Sequence, residues 1–202
     1  MDRPVDRLSV KQRFLIVCEG EQTEPNYFLK FPIPKDSVVR VEGVGANTEY
    51  LVRTAIMLRA ESWEQNQIRY DQVWCVFDRD SFEAYHFNQA LDLAKKNQIE
   101  VAYSNEAFEL WYVLHFQYLD TGITREDYIK CLSLELKRKY EKNDPNIYDE
   151  LLPRQQTAIQ FAKTLLNQYQ PKNPEKDKPS TTVHILVEKL NELNWDRWKH
   201  SN

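Results

Sequence analysis

Glu19, Asp78 and Asp80 are the residues in this chain best placed to do chemistry together. Glu19 follows the apolar run Phe14 to Cys18 (FLIVC), and Asp78-Arg79-Asp80 follows Val73 to Phe77 (VWCVF). Short continuous apolar runs read as strands buried on both faces. In an open parallel sheet, ligands bind beyond the carboxyl ends of the strands, which is where these acids fall. Asp78 and Asp80 are two apart, so in extended chain they point the same way and Arg79 the other. If the two strands are neighbours, three carboxylates converge. Ionised together they repel, and a hard cation such as Mg2+ relieves the repulsion. Such a site activates water for attack on a phosphodiester. A D-x-D after a buried strand also serves haloacid-dehalogenase-type phosphatases, where the first Asp is the nucleophile, and glycosyltransferases that bind nucleotide sugars. The phosphatase reading requires the D-x-D on the first strand, where this chain carries Glu19. The added Glu moves the balance to metal-dependent phosphoryl chemistry.

The elements that must position these acids can be read from the pattern. Thr23-Glu24-Pro25 reads as a helix start with Thr23 as N-cap. Val38 to Val44 is a second strand, and Asn47 or Thr48 caps a helix carrying Leu51, Ala55 and Leu58 on one stripe. After the D-x-D, Phe87, Ala90, Leu91 and Ala94 keep helical spacing. Ile99 to Tyr103 is a fourth strand, and Ser104 or Asn105 caps an apolar helix, Phe108 to Leu119. The β-α order predicts an α/β fold: a mostly parallel sheet flanked by helices on both faces. From Thr124 onward the strand pattern disappears, and helices are expected over roughly 125–142, 154–169 and 181–195. The polar, proline-rich stretch 170–179 between them predicts a mobile loop. The expected organisation is an α/β domain over 12–120 and a helical C-terminal extension, 121–202, packed on it.

Other acids lie within reach. Glu24, near a helix N-terminus, is a further candidate metal ligand, whereas Glu21 reads as a solvated loop residue. Glu109, at the edge of the fourth strand, is expensive to bury in an aromatic helix unless paired, so it is a candidate to support the site or touch substrate. His115 is a weaker candidate of the same kind. At six positions from Glu109 it is offset by about 240° around a helix, and its bland reading is a hydrogen-bonded core histidine. Lys137-Arg138-Lys139, with Lys130 and Lys142, form the clearest basic cluster; such a run is usually a solvated helix face, but it can touch nucleic-acid phosphates.

Composition limits the alternatives. The 202 residues carry a net charge of −4, so the chain is not a basic polyanion binder overall. No apolar run approaches the ~20 residues of a membrane span. Three widely spaced cysteines argue for a reducing compartment, hence a cytoplasmic location, with Cys18 and Cys75 as buried thiols. No G-x-x-x-x-G-K-[ST] is present.

Three segments together resemble the RloB family: EGEQTEPNYF from Glu19 to Phe28, Phe77-Asp78-Arg79-Asp80, and SNEAFELW from Ser104 to Trp111, ending at His115-Phe116. That family is similar to Toprim domains, whose motif is a Glu after the first strand and a later D-x-D. The resemblance therefore implies a Toprim-like, Rossmannoid sheet and carries Glu19, Asp78 and Asp80 onto the Toprim acidic triad. It implies a Mg2+- or Mn2+-dependent nuclease cutting DNA or RNA, tRNA included, in phage defence (abortive infection). The implied partner is an AAA- or ABC-type ATPase encoded nearby, and a homo-oligomer is compatible with this. Ser81-Phe82-Glu83 replaces the glycine-flanked stretch that many Toprim proteins place after the D-x-D, which weakens any inference to topology enzymes. The competing reading is a non-catalytic subunit that binds a nucleotide or RNA end in such a complex; a phosphatase using Asp78 ranks last.

Overall fold

A computed structural model describes residues 12–45, 47–79 and 84–200, with side chains through Leu193. Five strands, β1 (Arg13–Cys18), β2 (Val38–Gly43), β3 (Gln72–Asp78), β4 (Glu100–Asn105) and β5 (Ser180–Thr181), form one sheet in the order β2-β1-β3-β4-β5. The first four are parallel and β5 runs antiparallel at the edge. The helices are α1 (Thr23–Phe28), α2 (Thr48–Asn66), α3 (Ala84–Lys96), α4 (Glu109–Val113), α5 (Arg125–Glu135), α6 (Ile147–Leu151), α7 (Gln155–Gln168) and α8 (Val183–His200). The expected α/β class, with a mostly parallel sheet between helices, is the one observed.

Strand periodicity explains the two layers. In β1, Leu15 and Val17 face one side with Val73, Cys75 and Phe77 of β3, and α2 and α3 cover them. Phe14, Ile16 and Cys18 face the other side with Trp74 and Val76, under a larger aromatic core built from α1 and α4–α8. Both faces of β1 and β3 are thus buried, which is why these strands read as unbroken apolar runs. Cys18 and Cys75 are free and buried in opposite faces, and burial pushes both thiols up. Among the described residues no helix is long and apolar enough to cross a membrane.

Five local expectations are corrected. Thr23 is not an N-cap: Gln22 holds that position, and the Thr23 hydroxyl donates instead to Asn143 Oδ1 at 2.6 Å. Ser104 and Asn105 do not cap a helix. They complete β4 against β5, where the Ser104 and Thr181 hydroxyls are 2.9 Å apart. So the strand pattern does not end at Thr124; two residues beyond the proline-rich segment return as β5, too short for periodicity to show. The apolar helix expected to reach Leu119 stops at Val113. The His115 ring Nδ1 lies 2.8 Å from the Trp111 carbonyl that a continuing helix would offer to the His115 amide, and that amide bonds Tyr112 O. The helix expected over 125–142 ends at Glu135, because Lys137 takes φ +54° and Tyr140 folds back, its amide donating to Ser133 Oγ at 3.0 Å.

The proline-rich segment 170–179 is a loop tethered at several points. Asn88 donates to Glu175, Asn105 to the carbonyls of Pro174 and Glu175, and Tyr169 to that of Pro179.

Candidate functional site

The β1 and β3 strands are hydrogen-bonded neighbours, and the chain leaves β1 for β2 on one side before crossing to β3 on the other. The crevice at their carboxyl ends is therefore a topological switch point, the usual ligand position in such sheets. Glu19 continues β1 by one residue, its amide bonding Val76 O at 2.9 Å. Its carboxylate turns across the seam, where Oε2 accepts the Asp78 amide at 3.0 Å. Asp78 ends β3 opposite Ser104 of β4, and its Oδ2 accepts from the Arg125 guanidinium at 3.2 Å. Asp80 lies outside the described residues, as do Ser81-Phe82-Glu83.

Two further carboxylates enter from the helices on the aromatic face. Glu24, in the first turn of α1, is 5% exposed, and Glu109, at the start of α4, is 2% exposed. Gly20 makes the room: a Cβ there would stand 2.1 Å from Glu24 Oε2. Glu24 Oε2 and Glu109 Oε1 are buried without a hydrogen-bond partner among the described residues. An unpaired buried carboxylate oxygen is costly, so a cation, a proton or a donor from elsewhere is called for.

The electrostatics say the same. Burial raises the Glu24 carboxyl to about 7, and the charges of Glu109 and Glu19 push it further in that direction; its backbone hydrogen bond and Lys142 oppose them. Burial likewise lifts Asp78 well above the usual carboxylate range, joined by repulsion from Glu24, Glu109 and Glu19 and opposed by Arg125. Glu19, Glu24, Asp78 and Glu109 thus lie within reach of one another's charge, and Asp78 also feels Arg125 and Glu24 feels Lys142. Tyr112, Tyr128 and Tyr140 wall the region. Their phenols are pushed up first by burial and then by neighbouring charges that include Glu109 in each case.

An all-oxygen donor set with two orphaned, buried carboxylate oxygens fits a hard divalent cation such as Mg2+ or Mn2+. Among the described residues no three His, Cys, Asp or Glu side chains close around a single point, and Asp78 is engaged by Arg125. Glu19, Glu24, Asp78 and Glu109 are the groups that would hold the ion.

The remaining candidates fall elsewhere. His115 is buried on the aromatic face, with its Nδ1–H donating to Trp111 O and its ring edge-on to Trp111. Burial lowers it to about 4, and the charge it feels is that of Arg154, so it is placed as a neutral core histidine. Lys137, Arg138 and Lys139 lie past the end of α5, not along a helix face. Arg138 is held by Asp144 and Glu150, and Lys139 faces Glu141 at 3.8 Å. Sequence reasoning missed Arg125: one arginine at a helix start gives no signal until the fold brings it to β3. It also missed that the Thr23-x-x-Asn26 part of the first motif binds the 137–145 turn, through Asn143.

Residues 14–190 match the RloB-like protein family. The chain belongs to that family. Neither the curated proteins nor the solved structures contain a match to it. The matched span of this RloB-like chain runs well past Phe116, where the quoted motifs end. It takes in Arg125, Lys142 and β5, so the C-terminal helices are part of the family's body.

Proposed function

We propose that this RloB-like protein is a metal-dependent nuclease of Toprim type, cleaving phosphodiester bonds in DNA or RNA. The observation that carries the reading is the gathering of Glu19, Glu24, Asp78 and Glu109 at the switch point between β1 and β3, with Glu24 Oε2 and Glu109 Oε1 buried and without a partner among the described residues. Mg2+ or Mn2+, when bound, would polarise the phosphate and supply hydroxide at neutral pH. The protein's part is positional. Glu19 locks the β1–β3 seam through the Asp78 amide, and the buried tyrosines exclude water. Glu24 and Glu109 present buried Oε2 and Oε1, without a partner among the described residues, toward the same site. Asp80, by the Toprim likeness, completes the acidic triad.

The setting proposed with it is an anti-phage defence complex in which an AAA- or ABC-type ATPase restrains or triggers the nuclease. A second reading, a non-catalytic subunit binding a nucleotide or RNA end, draws on the Arg125–Asp78 ion pair, which occupies a carboxylate that catalysis needs. Purified protein incubated with labelled DNA and RNA, with and without Mg2+ or Mn2+, separates the two. The nuclease reading expects metal-dependent cleavage that falls by about 10³-fold or more in Glu19→Ala, Asp78→Ala and Asp80→Ala. Cleavage unchanged in all three variants would exclude this site. Nucleotide or RNA binding without cleavage, with the partner ATPase present, would support the second reading.

A further inference from the structure

Two of the cations at the margin of the acid cluster come from parts of the chain far from its acids. Arg125, at the start of α5, pairs with Asp78 at 3.2 Å while 37% of its side chain stays exposed. Lys142 lies in the turn after α5 and is exposed, and Glu24 feels its charge. That turn is fixed against the acid-bearing motif: Asn143, next to Lys142, accepts from Thr23 Oγ1 at 2.6 Å and from Asn26 Nδ2 at 2.9 Å. Beside it opens a cavity of about 240 Å3 lined by Arg138, Lys139 and Lys142 and also by Glu141 and Asp144. Of the other basic groups, Arg138 pairs with Asp144 and Glu150, Lys178 pairs with Glu106, and the Arg79 guanidinium lies over the Phe87 ring.

We infer that Arg125 and Lys142 are the phosphate-holding residues of this site, gripping the nucleic-acid backbone on the Asp78 and Glu24 sides of the carboxylates. The inference rests on the nuclease reading and extends it to substrate. A nucleic-acid strand approaching four carboxylates is repelled unless cations meet its phosphates at the rim. An exposed guanidinium at that rim suits phosphate, which it can bind through two N–H donors. Without a metal ion, Arg125 pairs with Asp78. Once a divalent cation takes that carboxylate, the guanidinium is free to meet the phosphate, so metal and Arg125 compete for Asp78 while Lys142 does not. The basic run 137–139 then serves mainly to shape the turn.

The test uses the full chain, with Arg125→Met, Lys142→Met and, as control at the opposite end of the sheet, Lys189→Met. Anisotropy of a fluorescein-labelled oligonucleotide is read in Ca2+, with DNA in one arm and RNA in the other, and Mn2+ binding is read by calorimetry. Arg125→Met and Lys142→Met should each weaken the preferred oligonucleotide about tenfold and lower the salt slope by about one, with the control unchanged. Arg125→Met should also bind Mn2+ several-fold more tightly, while Lys142→Met should not weaken Mn2+ binding. If Arg125→Met does not fold, Arg125→Gln is read in its place. Wild-type Mn2+ binding with oligonucleotide affinity unmoved in both variants, or Mn2+ binding weakened by loss of Arg125, overturns the inference and leaves the metal reading standing. No Mn2+ binding by the wild type removes both, and metal-loaded wild type that binds neither oligonucleotide overturns this one.

Discussion

Two clusters of charge stand side by side in this protein and are built on opposite terms. Around Arg138, one guanidinium bonds two carboxylates, Asp144 and Glu150, with Arg138 and Glu150 each more than a third exposed. Around β1 and β3, Glu24 and Glu109 sit almost wholly buried, with oxygens that have no partner among the described residues. Water finishes the balance in the first cluster. In the second it is kept out, so burial, and after it the neighbouring negative charge, raises the affinity of Glu24 and Asp78 for protons. The difference is one of purpose: a solvated ion pair shapes a turn, whereas a buried imbalance holds a place for something that arrives.

The largest effect that would break this contrast is at Glu24. Its carboxyl titrates near 4.5 when unfolded and at about 7 when folded without metal. A raised carboxyl contributes stability that is fully present below pH 4.5 and is lost as pH rises through about 7. The whole swing is about 3 kcal/mol. Glu24→Gln should therefore be more stable than the wild type at pH 8 in EDTA, by up to about 3 kcal/mol, and nearly equal to it at pH 4. His115 works against this in the wild type. Lowered to about 4, it contributes stability that is present above 6.5 and lost as pH falls through about 4. The difference between variant and wild type, not either curve alone, carries the result. Urea midpoints across pH check it, and added Mg2+ should shrink the gap. A gap independent of pH and metal would mean that Glu24 is an ordinary buried acid.

How much of this was legible beforehand depended on range. Glu19 and Asp78 were readable because FLIVC and VWCVF name their own strands, and a parallel sheet puts the ends of neighbouring strands together. Glu24 and Glu109 were readable as candidates, from a helix start and from an acid among aromatic residues. Their burial beside one another was not, since it depends on how α1 and α4 pack on one face. The C-terminal partners were out of reach. Arg125 meets Asp78 across 47 residues, and Thr23 meets Asn143 across 120. Periodicity carries no information over such distances. It also overran two helices, because His115 and Ser133 divert backbone groups by side-chain bonds that no apolar stripe records.

A smaller effect is expected at Gly20, where the contrast rests on space. A methyl group there would stand 2.1 Å from Glu24 Oε2, but that atom ends a flexible side chain and can shift. Gly20→Ala should cost little stability and weaken Mn2+ binding by about 10- to 100-fold, the range seen when groups that orient metal ligands are disturbed. Calorimetric titration beside a thermal melt reads both. A large loss of stability with Mn2+ affinity intact would show that the glycine serves the fold rather than the carboxylate.

The smallest effect is expected at Arg138. Removing it as Arg138→Met leaves Asp144 and Glu150 facing each other, but water reaches Glu150 and salt screens them. An exposed pair such as Arg138–Glu150 contributes about 1 kcal/mol or less, and Asp144, whose side chain is 11% exposed, keeps the Asn146 amide on its Oδ1. The variant should unfold at slightly lower urea than wild type at low ionic strength, and the difference should fade as salt rises past the point where the Debye length falls below about 8 Å. The Glu24→Gln difference should persist in the same salt series, because a buried carboxylate is screened far less than an exposed one. Running both variants through that series places the two clusters on one axis. If Arg138→Met stays salt-insensitive while Glu24→Gln fades, solvent access is not what separates them, and the turn rather than the acid cluster holds the buried imbalance.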